Sequence, residues 1–220
     1  MNQNENTPLL DIRDVSHNFD YPLFQDINLT LDKQQSIAII GISGSGKSTL
    51  LNIFCSLLAP EHGEVIYDGQ NIFNISKKEL LNIRRNDFGI IFQAHYLFRG
   101  FDANENLEIA SLLTNNNVDT MLLEKLKIDH VMTQAIGELS GGQQQRLSIA
   151  RVLTKKPTII FADEPTGNLD KETASEVMDV LFDYTKLNNA GMILVTHEDD
   201  IAYKCDKVYK LNNNKLEQLK

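Results

Sequence analysis

The chain has 220 residues, 42% of them hydrophobic and 23% charged, and its 21 basic and 30 acidic residues give a net charge of −9. Such a length and balance fit one globular domain, or one domain carrying a substantial insertion. They exclude a dedicated nucleic-acid binder, which needs a clustered basic surface, and two distant cysteines, Cys55 and Cys205, exclude a disulfide scaffold and imply buried free thiols in a reducing compartment.

The opening MNQNENTPLL is polar and lacks the basic-then-apolar layout of a signal peptide. Residues Leu9 to Leu31 carry short β-type patches parted by a turn at Asp20 to Pro22. SIAII, Ser36 to Ile40, is a β-branched run of the kind buried in a parallel sheet. A glycine loop comes next, then a helical pattern with Leu50, Leu51, Phe54, Leu57 and Leu58 apolar, stopped at Pro60. Glu64 to Ile72 reads as strand and turn, and FGIIFQ, Phe88 to Gln93, as another buried strand.

From about Asn104 to Lys155 the periodicity becomes helical, with Asn115-Asn116-Asn117 breaking two segments. This is a helical insertion, bounded at 94–155, within an α/β core formed by 9–93 and 156–220. Strand texture returns at TIIFAD, Thr158 to Asp163. Ala174, Val177, Met178, Leu181 and Phe182 form a core-facing helical stripe. MILVTH is a last buried strand, and VYKLNNNKLEQL a polar-turned hairpin. Strands alternating with helices predict an α/β fold around a mainly parallel sheet. No apolar run approaches the roughly 20 residues a spanning helix needs, so the chain is expected to be soluble, without a membrane span of its own.

GISGSGKST, Gly41 to Thr49, satisfies the phosphate-loop pattern G-x-x-x-x-G-K-[ST] between a predicted strand and a predicted helix. Gly41, Ile42, Ser43, Gly44, Ser45 and Gly46 would let successive N–H groups face phosphates at a helix N-terminus. Lys47 reaches the outer phosphates and Ser48, beside Thr49, can ligate Mg²⁺. Asp163, at a strand end, can join the metal shell. Glu164 behind it can polarise a water for in-line attack. Gln93 and His197 also end predicted strands, where α/β proteins bind ligands. Gln93 can bond a metal-bound or attacking water, and His197 the γ-phosphate. Phe19 is a candidate for stacking on adenine or a simple core residue, with Tyr21 as its rival.

A second anion device, Ser140-Gly141-Gly142-Gln143, opens a predicted helix. One chain cannot wrap both devices around one nucleotide across the helical insertion, so the second is expected to serve a neighbouring copy in an isologous pair.

Together these motifs resemble the ATP-binding subunits of ABC transporters over essentially the whole chain: the phosphate loop at Gly41–Ser48, the glutamine loop at Gln93, the LSGGQ signature at Leu139–Gln143, the Asp163-Glu164 pair, Asn168-Leu169-Asp170 and the switch histidine His197. The resemblance implies a P-loop ATPase fold with a RecA-like core sheet, an antiparallel β subdomain and a helical insertion. It further implies an ATP-sandwich dimer with Mg²⁺, in which Glu164 is the general base, His197 contacts the γ-phosphate and Asp170 communicates across the interface. ADEPTGNLD, Ala162 to Asp170, is similar to the branch that serves lipoprotein release, macrolide export and cell division. QAHYLFRGFDANENL, Gln93 to Leu107, is most similar to the lipoprotein-releasing members, departing from their Pro-Asp at Arg99-Gly100. The implied partner is a separate integral-membrane permease docked near Gln93 and the helical insertion, where Tyr96, Leu97, Phe98 and Phe101 form either an aromatic-apolar docking cluster or core of the insertion, with the chain peripheral on the cytoplasmic face of the inner membrane. The alternative is a cell-division ATPase regulating wall hydrolases without transport.

Overall fold

The computed structural model describes residues 7–220; most of the polar N-terminal stretch, from which no leader was expected, lies outside them. In chain order the elements are β1 (Leu10–Asn18), β2 (Pro22–Leu31), β3 (Ser36–Ile40), α1 (Lys47–Phe54), β4 (His62–Tyr67), β5 (Gln70–Asn71), α2 (Lys77–Asn86), β6 (Phe88–Ile91), α3 (Ala103–Thr114), α4 (Thr120–Lys125), two 3₁₀ turns, α5 (Gly141–Thr154), β7 (Ile159–Asp163), α6 (Lys171–Leu187), β8 (Gly191–Val195), α7 (Asp199–Ala202), β9 (Lys207–Asn212) and β10 (Lys215–Gln218).

The strands form two sheets, one of order β2-β1-β4-β5 and antiparallel, the other of order β10-β9-β3-β8-β7-β6 and parallel except for the β9–β10 hairpin. The larger sheet is covered on both faces, which is why its strands are continuous apolar runs instead of alternating ones. Successive side chains point to opposite sides. Ile37, Ile39, Ile159 and Phe161 therefore join one core with Leu10, Ile12, Phe24 and Phe54, facing the antiparallel sheet. Ala38, Ile40, Ile160 and Ala162 join a second core with Leu107, Leu147, Ile149, Val177 and Met178, facing the helices. The stripe on α6 lands largely as its spacing requires, with Ala174, Val177, Met178 and Leu181 buried and Phe182 half-buried at its edge.

Both short hairpins turn on residues with positive φ at the two central positions, Asp68 and Gly69 in one, Asn213 and Asn214 in the other, the geometry whose twist matches paired strands. Two elements differ from expectation. The helix after the glycine loop ends at Phe54, not at Pro60: Ser56 takes φ 68° and the N–H groups of Leu57 and Leu58 both donate to Asn52 O, which closes the helix a turn early. Helix α2 was not expected. It buries none of its residues and is secured by a capping box in which Ser76 and Glu79 satisfy each other's backbone N–H groups. The two cysteines are free and buried, and burial pushes both thiols up to about 12. No described helix is long and apolar enough to cross a membrane.

Candidate nucleotide site

Because β3, β6, β7 and β8 run parallel, their carboxyl ends share one edge of the sheet, and the residues just beyond each strand are gathered there. The glycine loop continues from β3, Gln93 lies just past β6, Asp163 ends β7 with Glu164 next, and Thr196 and His197 come directly after β8. An open cavity of about 570 Å³ lies at this edge, lined by Phe19, Tyr21, Ser43, Gly44, Gly46, Lys47, Ser48, Thr49, Gln93, Asp163, Glu164 and His197, with Leu23 and Val195 behind.

The loop's conformation explains its composition. Gly46 caps α1 at φ 98°, and a side chain there would strike Leu23 at 2.7 Å; only glycine fits the turn and the contact together. Lys47 is nearly buried, and its Nζ donates to Gly41 O at 2.9 Å and to Ile42 O at 3.0 Å, so the lysine folds back over its own loop. Ile42 projects outward, and the buried Ser45 hydroxyl has no partner among the described residues.

Burial, reinforced by the Glu164 charge, raises the Asp163 carboxyl above the usual range, while Ser48 and Lys47 beside it oppose the rise. The Glu164 carboxylate is held on both oxygens. Oε1 lies 2.8 Å from His197 Nδ1, and Oε2 accepts from Thr196 Oγ1 at 3.4 Å. Glu164 in turn raises the pKa of the exposed His197 imidazole through that hydrogen bond and its charge. Thr196 is fully buried and was missed in the sequence, where it looks like one more β-branched residue of its strand.

Phe19 and Tyr21 both stand exposed at the cavity mouth. They differ in support: His17 packs edge-on against the Phe19 ring, with centroids 5.0 Å apart. An adenine stacked on Phe19 alone would lose binding on Phe19→Ala and little on Tyr21→Ala. We expect a roughly tenfold or larger affinity loss for the first, as for one stacked base, measured with a fluorescent ATP analogue; the opposite ranking would transfer the role to Tyr21.

The remaining predicted residues lie away from this cavity. Ser140 caps α5: its Oγ accepts from Gln143 N at 3.2 Å, and the Gln143 side chain accepts from Ser140 N at 2.8 Å. Gly141 begins the helix exposed and Gly142 approaches Leu169. Asp170 caps α6 by accepting from Thr173 N and Oγ1, contacts that hold its carboxyl below the usual range.

A glycine loop leading from a buried strand into a helix, with acidic residues ending the neighbouring strand, defines a phosphate-loop nucleotide-binding protein of the α/β class. The family described as ABC transporter matches residues 24–167. The chain belongs to that family: it is an ATP-hydrolysing, ATP-binding subunit of an ABC transporter. Among curated relatives, it is 42% identical over 200 residues to the lipoprotein-releasing system ATP-binding protein LolD of Rickettsia bellii, covering 88% of each chain. It is 35% identical over 223 residues to LolD of Shewanella denitrificans, covering 96% of each. Among solved structures it is similar to the ATP-binding cassette MJ0796 in a dimeric post-hydrolysis state bound to ADP and Pi, with a TM-score of 0.87, 29% identity and coverage of 96% of this chain and 99% of that one. A second dimeric structure of that bacterial cassette gives a TM-score of 0.86 at 30% identity, again covering 96% and 99%.

Proposed function

We propose that this chain powers lipoprotein release from the inner membrane, acting in pairs on the cytoplasmic face beneath a separate integral-membrane permease. The observation that carries the pairing is the separation of the two anion devices: the phosphate loop lines the cavity, whereas the Ser140–Gln143 helix end is absent from its walls. A second copy facing the first would supply the missing half. The dimeric cassette structures support this arrangement, and the lipoprotein-releasing relatives support the cargo.

Within each half, the N–H groups of Gly41 to Thr49 and the Lys47 ammonium bind the ATP phosphates, and Phe19 stacks on the base. Ser48, Asp163 and Gln93 offer oxygen ligands of the kind Mg²⁺ prefers, and among the described residues no cluster of three His, Cys, Asp or Glu side chains competes for a softer metal. When bound there, Mg²⁺ neutralises charge on the phosphate oxygens. Glu164 accepts the proton of the attacking water, and His197, released from Glu164, turns to the γ-phosphate. Ser140, Gly141, Gly142 and Gln143 clasp the ATP of the facing copy, and Asp170 lies at the same interface. Residues 9–93 and 156–220 act as the nucleotide-binding core and 94–155 as the lobe that meets the permease.

That lobe has a fitting surface. Tyr96, Phe98 and Phe101 are exposed, and Tyr96 and Phe98 border a groove of about 320 Å³ whose ionisable liners, apart from Tyr96 itself, are the cations Arg84, Arg151 and Lys155. Burial pushes Lys155 down to about 8. An apolar permease segment bearing a carboxylate matches it. Phe98→Asp is expected to abolish co-purification with the membrane subunits and to leave lipoproteins in the inner membrane, as depletion of the chain would. Retained co-purification would remove the docking surface. Filamentous cells with normal lipoprotein sorting would instead favour control of wall hydrolases.

A further inference from the structure

Glu164 has a backbone conformation that its residue type disfavours twice. Its φ is 47°, in the left-handed region that favours glycine. It also precedes Pro165, whose ring pushes the residue before it toward extended backbone. Such a conformation persists only where surrounding structure over-determines it. Three hydrogen bonds do so here. Glu164 N donates to Val195 O at 2.9 Å, and Gly167 N donates to Glu164 O at 3.2 Å. The third is Gln145 Nε2, which donates to Pro165 O at 2.7 Å. The first two come from the sheet and from the turn itself. The third alone comes from α5, the helix that Ser140 begins.

Gln145 is 1% exposed, and its buried Oε1 has no partner among the described residues. A methionine of similar length would occupy the site without a stranded acceptor, and an unsatisfied buried amide oxygen is costly. Packing therefore does not account for an amide at this position; the donated bond does.

We propose that Gln145 is a positioning residue for ATP hydrolysis, holding the strained Glu164-Pro165 turn from the signature helix so that the Glu164 carboxylate keeps its place over the cavity. This rests on the reading of Glu164 as the base. It also makes turnover depend on where α5 sits: displacement of the helix withdraws the bond and lets the turn relax, while the phosphate loop on β3 is untouched.

The test compares Gln145→Met and Gln145→Glu in the full chain, using kcat and KM for ATP, affinity for a fluorescent non-hydrolysable ATP analogue, and circular dichroism. Gln145→Met should lower kcat about tenfold, the scale of one well-placed hydrogen bond, with analogue affinity within about twofold of wild type. In Gln145→Glu a neutral acid can still donate to Pro165 O, whereas the carboxylate cannot. Its kcat should therefore approach wild type in mildly acidic buffer and fall, relative to wild type, as pH rises. The pH dependence decides the matter even if the methionine variant folds poorly. Wild-type kcat in a folded Gln145→Met, a wild-type pH profile in Gln145→Glu, or a fall of kcat with pH in Gln145→Glu that analogue affinity and helicity follow in parallel would each overturn the role. Should Glu164→Gln itself retain turnover, the base assignment fails first; an inactive Glu164→Gln beside a fully active Gln145→Met removes only the positioning.

Discussion

Glu164→Gln is expected to lower ATP turnover by about 10²- to 10⁴-fold, the range general-base catalysis supplies, while ATP binding persists and the chain becomes dimeric in Mg-ATP. The substitution preserves shape, so Thr196 Oγ1 can still bond the side chain at Oε2's position. It removes the negative charge and the lone pair that would take the proton. Glu164 now raises the His197 pKa. Removing the charge should return that imidazole toward its ordinary value, visible as a downward shift of its titration midpoint by NMR. Light scattering reads the assembly state: a chain that stays monomeric under ATP would contradict a nucleotide shared between copies.

Lys47→Ala should act earlier, on binding. Charge-assisted hydrogen bonds contribute about 1.5–3 kcal/mol each, so loss of the ammonium should weaken ATP by roughly 10- to 100-fold or more, measured by titration with a fluorescent analogue. The loop is expected to survive, because Gly41 and Ile42, whose carbonyls lose the lysine, are half-exposed and exposed, so water can replace it. Unchanged affinity with reduced turnover would assign Lys47 to the transition state instead. The two variants thus separate: one binds and pairs without turning over, the other fails to fill.

The parts of the fold that could be read from the sequence are those whose physics is local or periodic. SIAII, TIIFAD and MILVTH were recognisable because strands buried on both faces need unbroken apolar runs, and all three lie in the parallel sheet. The α6 stripe was recognisable from its spacing. Helix α2 was not, because none of its residues is fully buried and only Leu80 and Ile83 rest half-buried on the core, a stripe too short to stand out; its sharpest signal was Ser76 three residues before Glu79. Of the candidate site, the residues at strand ends converge on one cavity because parallel strands share an edge. Two features could not be read. Thr196 acts through a hydroxyl on a residue that otherwise looks like strand core, and Gln145 acts through a contact 20 positions away in sequence, in a helix whose other buried residues are mostly apolar. Neither distance nor partner leaves a pattern in neighbouring residues.

The cap on α5 bears on how readily two copies come together. Ser140 and Gln143 already satisfy each other's backbone N–H groups, while the first N–H groups of any helix, those of Gly141 and Gly142 here, have no acceptor within it. The helix mouth is thus rigid before any encounter and still holds open donors. In the proposed pair, an arriving nucleotide would meet a socket that needs no folding of its own, which would spare the complex an ordering cost at the moment of contact.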